Sequence, residues 1–131
     1  MKSVAILLSH QPTTEQLAQL ENEWGVGRIV PLPDEFRTLW TSVPPDGPFP
    51  KEAFAPLLAW LEQSTAEGDL VWVQGEFGAT FLVSSWCFAH RRIPVYATTR
   101  RESEDHAQPD GSVVRRQVFR HVRFREYPIF P

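Results

Sequence analysis

Val71-Trp72-Val73-Gln74-Gly75-Glu76-Phe77-Gly78-Ala79-Thr80 is the stretch whose reading decides the fold. Its apolar opening, Leu70 to Val73, is β-branched and aromatic and predicts a buried strand. From Gly78 a helical pattern begins, with Phe81, Leu82, Ser85, Trp86 and Ala89 on one broad face. Between the two, Gly75 and Gly78 predict a tight turn. A strand that turns sharply into a helix aims free backbone N–H groups and the positive helix end at one point, which favours a phosphate. Glycine there lets a ligand approach the backbone. The plainer alternative is that the glycines only make the turn sharp.

The segments on either side repeat the same alternation. Val4 to Leu8 is a continuous apolar run, as in a strand buried on both faces. It ends in Ser9-His10-Gln11-Pro12, and Thr13 and Gln16 have capping-box spacing for a helix reaching Trp24. Arg28 to Pro31 predicts a short second strand, and Pro33-Asp34-Glu35 starts a short helix carrying Phe36, Leu39 and Trp40. Ser42 to Pro50 holds four prolines in nine residues, which predicts a stiff exposed crossover. Phe54, Leu57, Leu58 and Leu61 then mark a helix over Lys51 to Ser64. The third major helix is expected to run to about Arg91, with Trp72 and Trp86 in the core. Ile93 to Thr98 predicts a fourth strand. Glu102 to Asp110 is polar, and Pro109-Asp110-Gly111 signals a turn. The alternation from Val118 to Arg125 predicts a last strand folding back as a hairpin. The expected fold is therefore α/β: one Rossmann-like domain over residues 1–131, a mostly parallel sheet flanked by helices, closed by a C-terminal antiparallel β-hairpin.

Composition narrows the functional classes. At 131 residues and 42% hydrophobic, the chain can build a core. Its formal net charge of −3 gives no global pull toward DNA or a membrane. The charge is uneven, however. Residues 1–90 carry four Lys/Arg and eleven Asp/Glu, whereas residues 91–131 carry nine Arg and five acids. Arg offers forked donors for phosphate and stacks on bases. The single cysteine, Cys87, reads as a small core residue and fits a reducing cytoplasm. The first apolar run is too short for a signal peptide, and no run reaches membrane-span length. No Cys/His spacing suits zinc, and no metal or cofactor is expected.

In an open parallel sheet, ligands bind beyond the carboxyl ends of the strands. Three ends are expected to converge there. They bring Ser9, His10 and Gln11; Gln74, Gly75, Glu76, Phe77, Gly78 and Thr80; and Thr98, Thr99, Arg100 and Arg101. This polar set suits a phosphorylated, base-bearing ligand. The dinucleotide fingerprint and the P-loop ending are both absent, against NAD and ATP. Plainer roles are open for several of these residues. Glu76 serves as a helix cap, pointing aside from any anion. Gln74 satisfies buried backbone. His10, His90, His106 and His121 are surface residues.

Several motifs together resemble a small family of stand-alone CRISPR-associated Rossmann fold (CARF) proteins of type III CRISPR systems. They are Ser9-His10, Val43-Pro44-Pro45-Asp46, Val73 to Thr80, Ile93 to Arg100, and Val118 to Arg125. The resemblance covers nearly the whole chain. It implies a cytoplasmic homodimer that binds cyclic oligoadenylate, chiefly cyclic tetra-adenylate, across its two-fold axis. It further implies a ring nuclease that opens the ring without metal and switches off antiviral signalling. In that reaction a ribose 2′-OH attacks the neighbouring phosphate and leaves a 2′,3′-cyclic phosphate end. Position and chemical fit make His10 the first candidate for proton transfer, His121 the second, and Arg100 and Arg101 the groups that stabilise phosphate charge, with Phe77 against an adenine. The alternative is a sensor or sponge of the same fold that binds without cleaving. A third reading is an unrelated flavodoxin-like or interaction module.

Overall fold

The computed structural model describes residues 1–131. Strand β1 (Lys2–Leu7) leads to helix α1 (Thr14–Trp24), and β2 (Val26–Pro31) to a 3-10 turn (Asp34–Phe36) and α2 (Arg37–Thr41). After the proline-rich stretch come a second 3-10 turn (Lys51–Phe54), α3 (Ala55–Ser64), β3 (Leu70–Val73) and α4 (Phe77–Ala89). The chain closes with β4 (Ile93–Ala107) and β5 (Val113–Glu126). One sheet in the order β2-β1-β3-β4-β5 holds all five strands. The β1–β2, β1–β3 and β3–β4 pairs are parallel and β4–β5 is antiparallel. The protein is thus α/β with a mostly parallel sheet and a C-terminal antiparallel hairpin.

Alternating strand residues bury into two clusters, as the period of two requires. Val4, Ile6, Leu70, Trp72, Val95 and Phe124 meet Leu20 of α1. Ala5, Leu7, Val71 and Val73 meet Trp40, Leu57, Leu61, Val83 and Cys87 of α2, α3 and α4. Helices therefore cover both faces. Helix α1 starts at the expected capping box, with Gln16 N–H donating to Thr13 Oγ1 at 3.1 Å and Thr13 N–H to Gln16 Oε1 at 2.9 Å. Gly25, at φ 70°, ends it in the left-handed conformation.

The structure corrects the sequence reading in three places. Helix α4 buries Ala79, Val83, Ser84 and Cys87, while Phe81, Ser85 and Ala89 face solvent. It carries no charged residue and is apolar all round, so its periodicity does not select a face. Trp86 is half-buried, stacked on His90 at 4.5 Å beneath the Arg92 guanidinium. Strand β4 does not stop at Thr98 but continues to Ala107, through the first part of the polar stretch that begins at Glu102. Its outer part lies beyond β3, so no buried face demands hydrophobic alternation there. At the root of this arm, Thr98 pairs with Arg123 and Thr99 with His121, leaving Val122 as an extra, bulged residue.

Candidate functional site

Strands β1 and β3 end together: Leu7 pairs with Val73, and Gln74 N–H donates to the Leu7 carbonyl at 3.1 Å. Strand β1 connects to β2 on one side and abuts β3 on the other, so the crossovers diverge at this edge. Ser9, His10 and Gln11 follow β1 in an exposed loop. His10 Nδ1 lies 3.1 Å from the Gln11 carbonyl. With the proton on Nδ1 donated to that carbonyl, Nε2 keeps a free lone pair. A crevice of about 240 Å³ opens here, between the ends of β1 and β2. His10, Gln11 and Arg37 give it polar groups, and Leu8, Leu17 and Ile29 help to form an apolar wall. Arg37 was not among the residues expected from sequence. It enters through the first turn of α2, 27 residues from His10, and only the β1–β2 pairing brings the two together. Its guanidinium holds Asp34 at 3.3 Å in an exposed pair.

The Gly75–Gly78 turn has a different job from the one its spacing suggests. Neither glycine has a positive φ. A Cβ on Gly75 would sit 2.9 Å from the Trp40 indole, and one on Gly78 would sit 2.8 Å from the Phe49 ring. The missing side chains admit core aromatics rather than a ligand. The anion position at the start of α4 is taken by the chain itself, because Glu76 Oε1 accepts the Ala79 N–H at 2.8 Å. Glu76 thus points at the helix end and does not turn aside. Thr80 Oγ1 accepts the Gly75 N–H at 3.1 Å. The Gln74 side chain is also committed: its Oε1 accepts from the Trp72 indole at 2.8 Å and from the Ala97 N–H at 2.7 Å. Phe77 is 93% exposed at the head of α4.

The third strand end is absent, since Thr98, Thr99, Arg100 and Arg101 all lie inside β4. Thr98 Oγ1 donates to the Arg123 carbonyl at 3.0 Å and so is tied to β5. Arg100 and Arg101 form no ion pair, and Arg101 lies over the Phe119 ring at 6.0 Å. His121 faces α1, where its Nε2 meets Gln19 Oε1 at 2.6 Å. Burial pushes its pKa down, against smaller upward pulls from Glu15 and Glu23. It works as a docking contact between β5 and α1. The structure therefore gathers His10 and Gln11 with Arg37, beside Ser9, and sets the other expected residues to packing, capping or the arm. No three His, Cys, Asp or Glu side chains cluster to hold a metal, and no helix is long and apolar enough to cross a membrane.

Comparison with known proteins adds a family. A family model described as the uncharacterized protein MJ1673 family matches residues 2–125. A protein of Methanocaldococcus jannaschii, "Uncharacterized protein MJ1673", is 32% identical over 127 residues, which cover 97% of this chain and 98% of that protein. No solved structure matches.

Proposed function

The chain belongs to the MJ1673 family, and we propose that it is a Rossmann-like, CARF-type ring nuclease that takes cyclic oligoadenylate at the β1–β2 crevice. The observation that carries this reading is the meeting of His10, Gln11 and Arg37 in one crevice with apolar walls. At about 240 Å³ it is below the usual range for a drug-sized ligand and suits one nucleotide unit of a larger ring. Arg37 supplies forked donors for a phosphate, Gln11 an amide for a base edge, and Leu8, Leu17 and Ile29 an apolar wall for the base.

In the proposed step, His10 Nε2 takes the proton from a ribose 2′-OH. The 2′-oxygen forms a bond to the adjacent phosphorus and the bond to the 5′-oxygen breaks. That oxygen gains a proton from water, leaving 5′-OH and 2′,3′-cyclic phosphate ends. In-line placement of the 2′-oxygen supplies much of the rate, and Arg37 opposes the charge gathering on phosphate. Two copies facing one ring, as the resemblance implies, would repeat the contacts on alternate nucleotides. This reading belongs in the cytoplasm and in antiviral signalling.

The sensor or sponge is the second reading. It is favoured by Arg37 already being held by Asp34, and by His10 being the crevice's only imidazole, with no second acid–base side chain of that kind beside it. Incubation with cyclic tetra-adenylate, with and without EDTA, separates the two. Linear products with 2′,3′-cyclic phosphate ends, unaffected by EDTA, establish the nuclease, whereas intact ligand co-eluting with the protein establishes the sensor. Intact ligand that never binds refutes both.

A further inference from the structure

The bulge at Val122 decides where the arginines of β5 point. Strand residues alternate between faces, so Arg120 and Arg123 would fall on opposite sides of a regular strand. The extra residue returns them to one side. Arg120 pairs with Arg100, Arg123 with Thr98 and Arg125 with Tyr96, and paired residues share a face. Tyr96, Thr98 and Arg100 are themselves alternate residues of β4, so all six stand together, in steps of about 7 Å along each strand. Glu102 and Glu104 engage Arg120, whereas Arg100, Arg123 and Arg125 are exposed and form no ion pair.

This stripe leads into an aromatic cleft. Tyr127 continues the face of Arg125: its N–H donates to the Pro94 carbonyl at 2.9 Å, and its ring lies 4.8 Å from that of Tyr96. Tyr127 also forms one wall of a cleft of about 250 Å³, opposite Phe77, Phe81 and Ser85 of α4. Those three residues are exposed, and no charged residue lines the cleft.

We propose that this face binds single-stranded nucleic acid, with one base in the α4 cleft and successive phosphates on Arg125, Arg123 and Arg100. Charge complementarity selects a phosphate chain, because these three guanidiniums are forked donors that no acid of the protein occupies. The aromatic walls select unpaired bases, since a duplex keeps its base faces inside its own stack and would leave Phe77 and Phe81 bare. The exposed Ser85 hydroxyl both donates and accepts, and so suits a base edge. The β1–β2 crevice lies at the far side of the sheet, whose edges are β2 and β5. The inference therefore goes beyond the nuclease reading and stands without it.

Fluorescence anisotropy of labelled adenosine oligonucleotides of about eight nucleotides, one RNA and one DNA, tests it on the full chain. Binding is expected to fall about twentyfold between roughly 50 and 200 mM salt, as three phosphate contacts require. Arg100→Gln, Arg123→Gln and Arg125→Gln should each lower the logarithmic salt slope by about 0.7. Phe77→Ala should weaken binding about five- to 150-fold through lost stacking. Arg115→Gln, on the opposite face of the hairpin against Asp105, should leave binding unchanged. Tighter binding of the RNA supports the proposal with 2′-hydroxyl contacts added, and equal binding supports it with phosphate and base alone. Failure of both strands to bind at the lower salt overturns it, as does binding that Phe77→Ala and Arg125→Gln leave untouched. Binding that is lost with Arg37→Ala and kept with Arg125→Gln overturns it too, by moving the strand to the β1–β2 crevice.

Discussion

The Trp72 indole donates to Gln74 Oε1 over 2.8 Å, a bond across two positions of one strand end. The same oxygen accepts the Ala97 N–H at 2.7 Å, so one amide joins β3 to β4 at the edge of the sheet. Gln74→Leu leaves an indole and a backbone N–H unpaired. It should destabilise the fold by about 1–3 kcal/mol in urea denaturation, where Gln74→Glu, which keeps an acceptor, costs less.

Gly75 is held to glycine by Trp40. Gly75→Ala forces a Cβ to within 2.9 Å of the indole, and overpacking of this kind costs about 1–3 kcal/mol. Trp40→Leu in the Gly75→Ala background should recover part of the loss that Gly75→Ala causes. A glycine serving a ligand would show no such coupling, so a double-mutant cycle on thermal stability decides between the two roles.

At the crevice, His10→Ala should slow ring opening on the order of a hundred- to ten-thousandfold while leaving the Kd for cyclic tetra-adenylate nearly unchanged. Arg37→Ala should weaken binding about tenfold or more through the lost charge-assisted contacts. His121→Ala should leave the rate constant intact and lower stability instead. A rate lost with His121 and kept with His10 would move the chemistry to the arm.

His121 also sets an acid limb on stability. Its folded pKa lies below the ordinary value of 6.5 because burial disfavours the imidazolium. The unfolded chain therefore binds the proton more readily. This contribution is complete above that value and is lost as pH falls through the window beneath it. His121→Asn should flatten the difference in melting temperature between neutral pH and about pH 5.

Burial raises the Cys87 thiol to about 12 and leaves it fully enclosed. A thiol reagent should therefore label it only in denaturant, and the labelling rate of the native protein should follow opening of α4.

Particular residues show what sequence carries. The parallel sheet was legible because Val4 to Leu8 and Leu70 to Val73 are apolar without alternation, as strands covered on both faces must be. The cap roles of Thr13 and Glu76 were legible from local spacing. Helix α4 was legible in place but not in orientation, because a chain segment without charges offers no polar face to read. The length of β4 was hidden for the opposite reason: Glu102, Glu104 and Asp105 belong to a strand with no core beneath it. Arg37 was hidden because its closeness to His10 is a product of strand pairing, which local pattern does not encode.

Strand β5 is the outer edge of the sheet, and its unpaired amides and carbonyls are an open template for another strand. Arg116, Arg123 and Arg125 stand along it without an ion pair, while Arg115 and Arg120 are held by acids of β4. Two such edges approaching each other bring like charge against like, so the molecule resists growing into a continuous ribbon by end-to-end sheet extension. That protection is electrostatic and has a reach of only about 10 Å at 0.1 M salt. The protein is therefore guarded against fibrous self-assembly most strongly in dilute buffer, and concentrated salt strips the guard away.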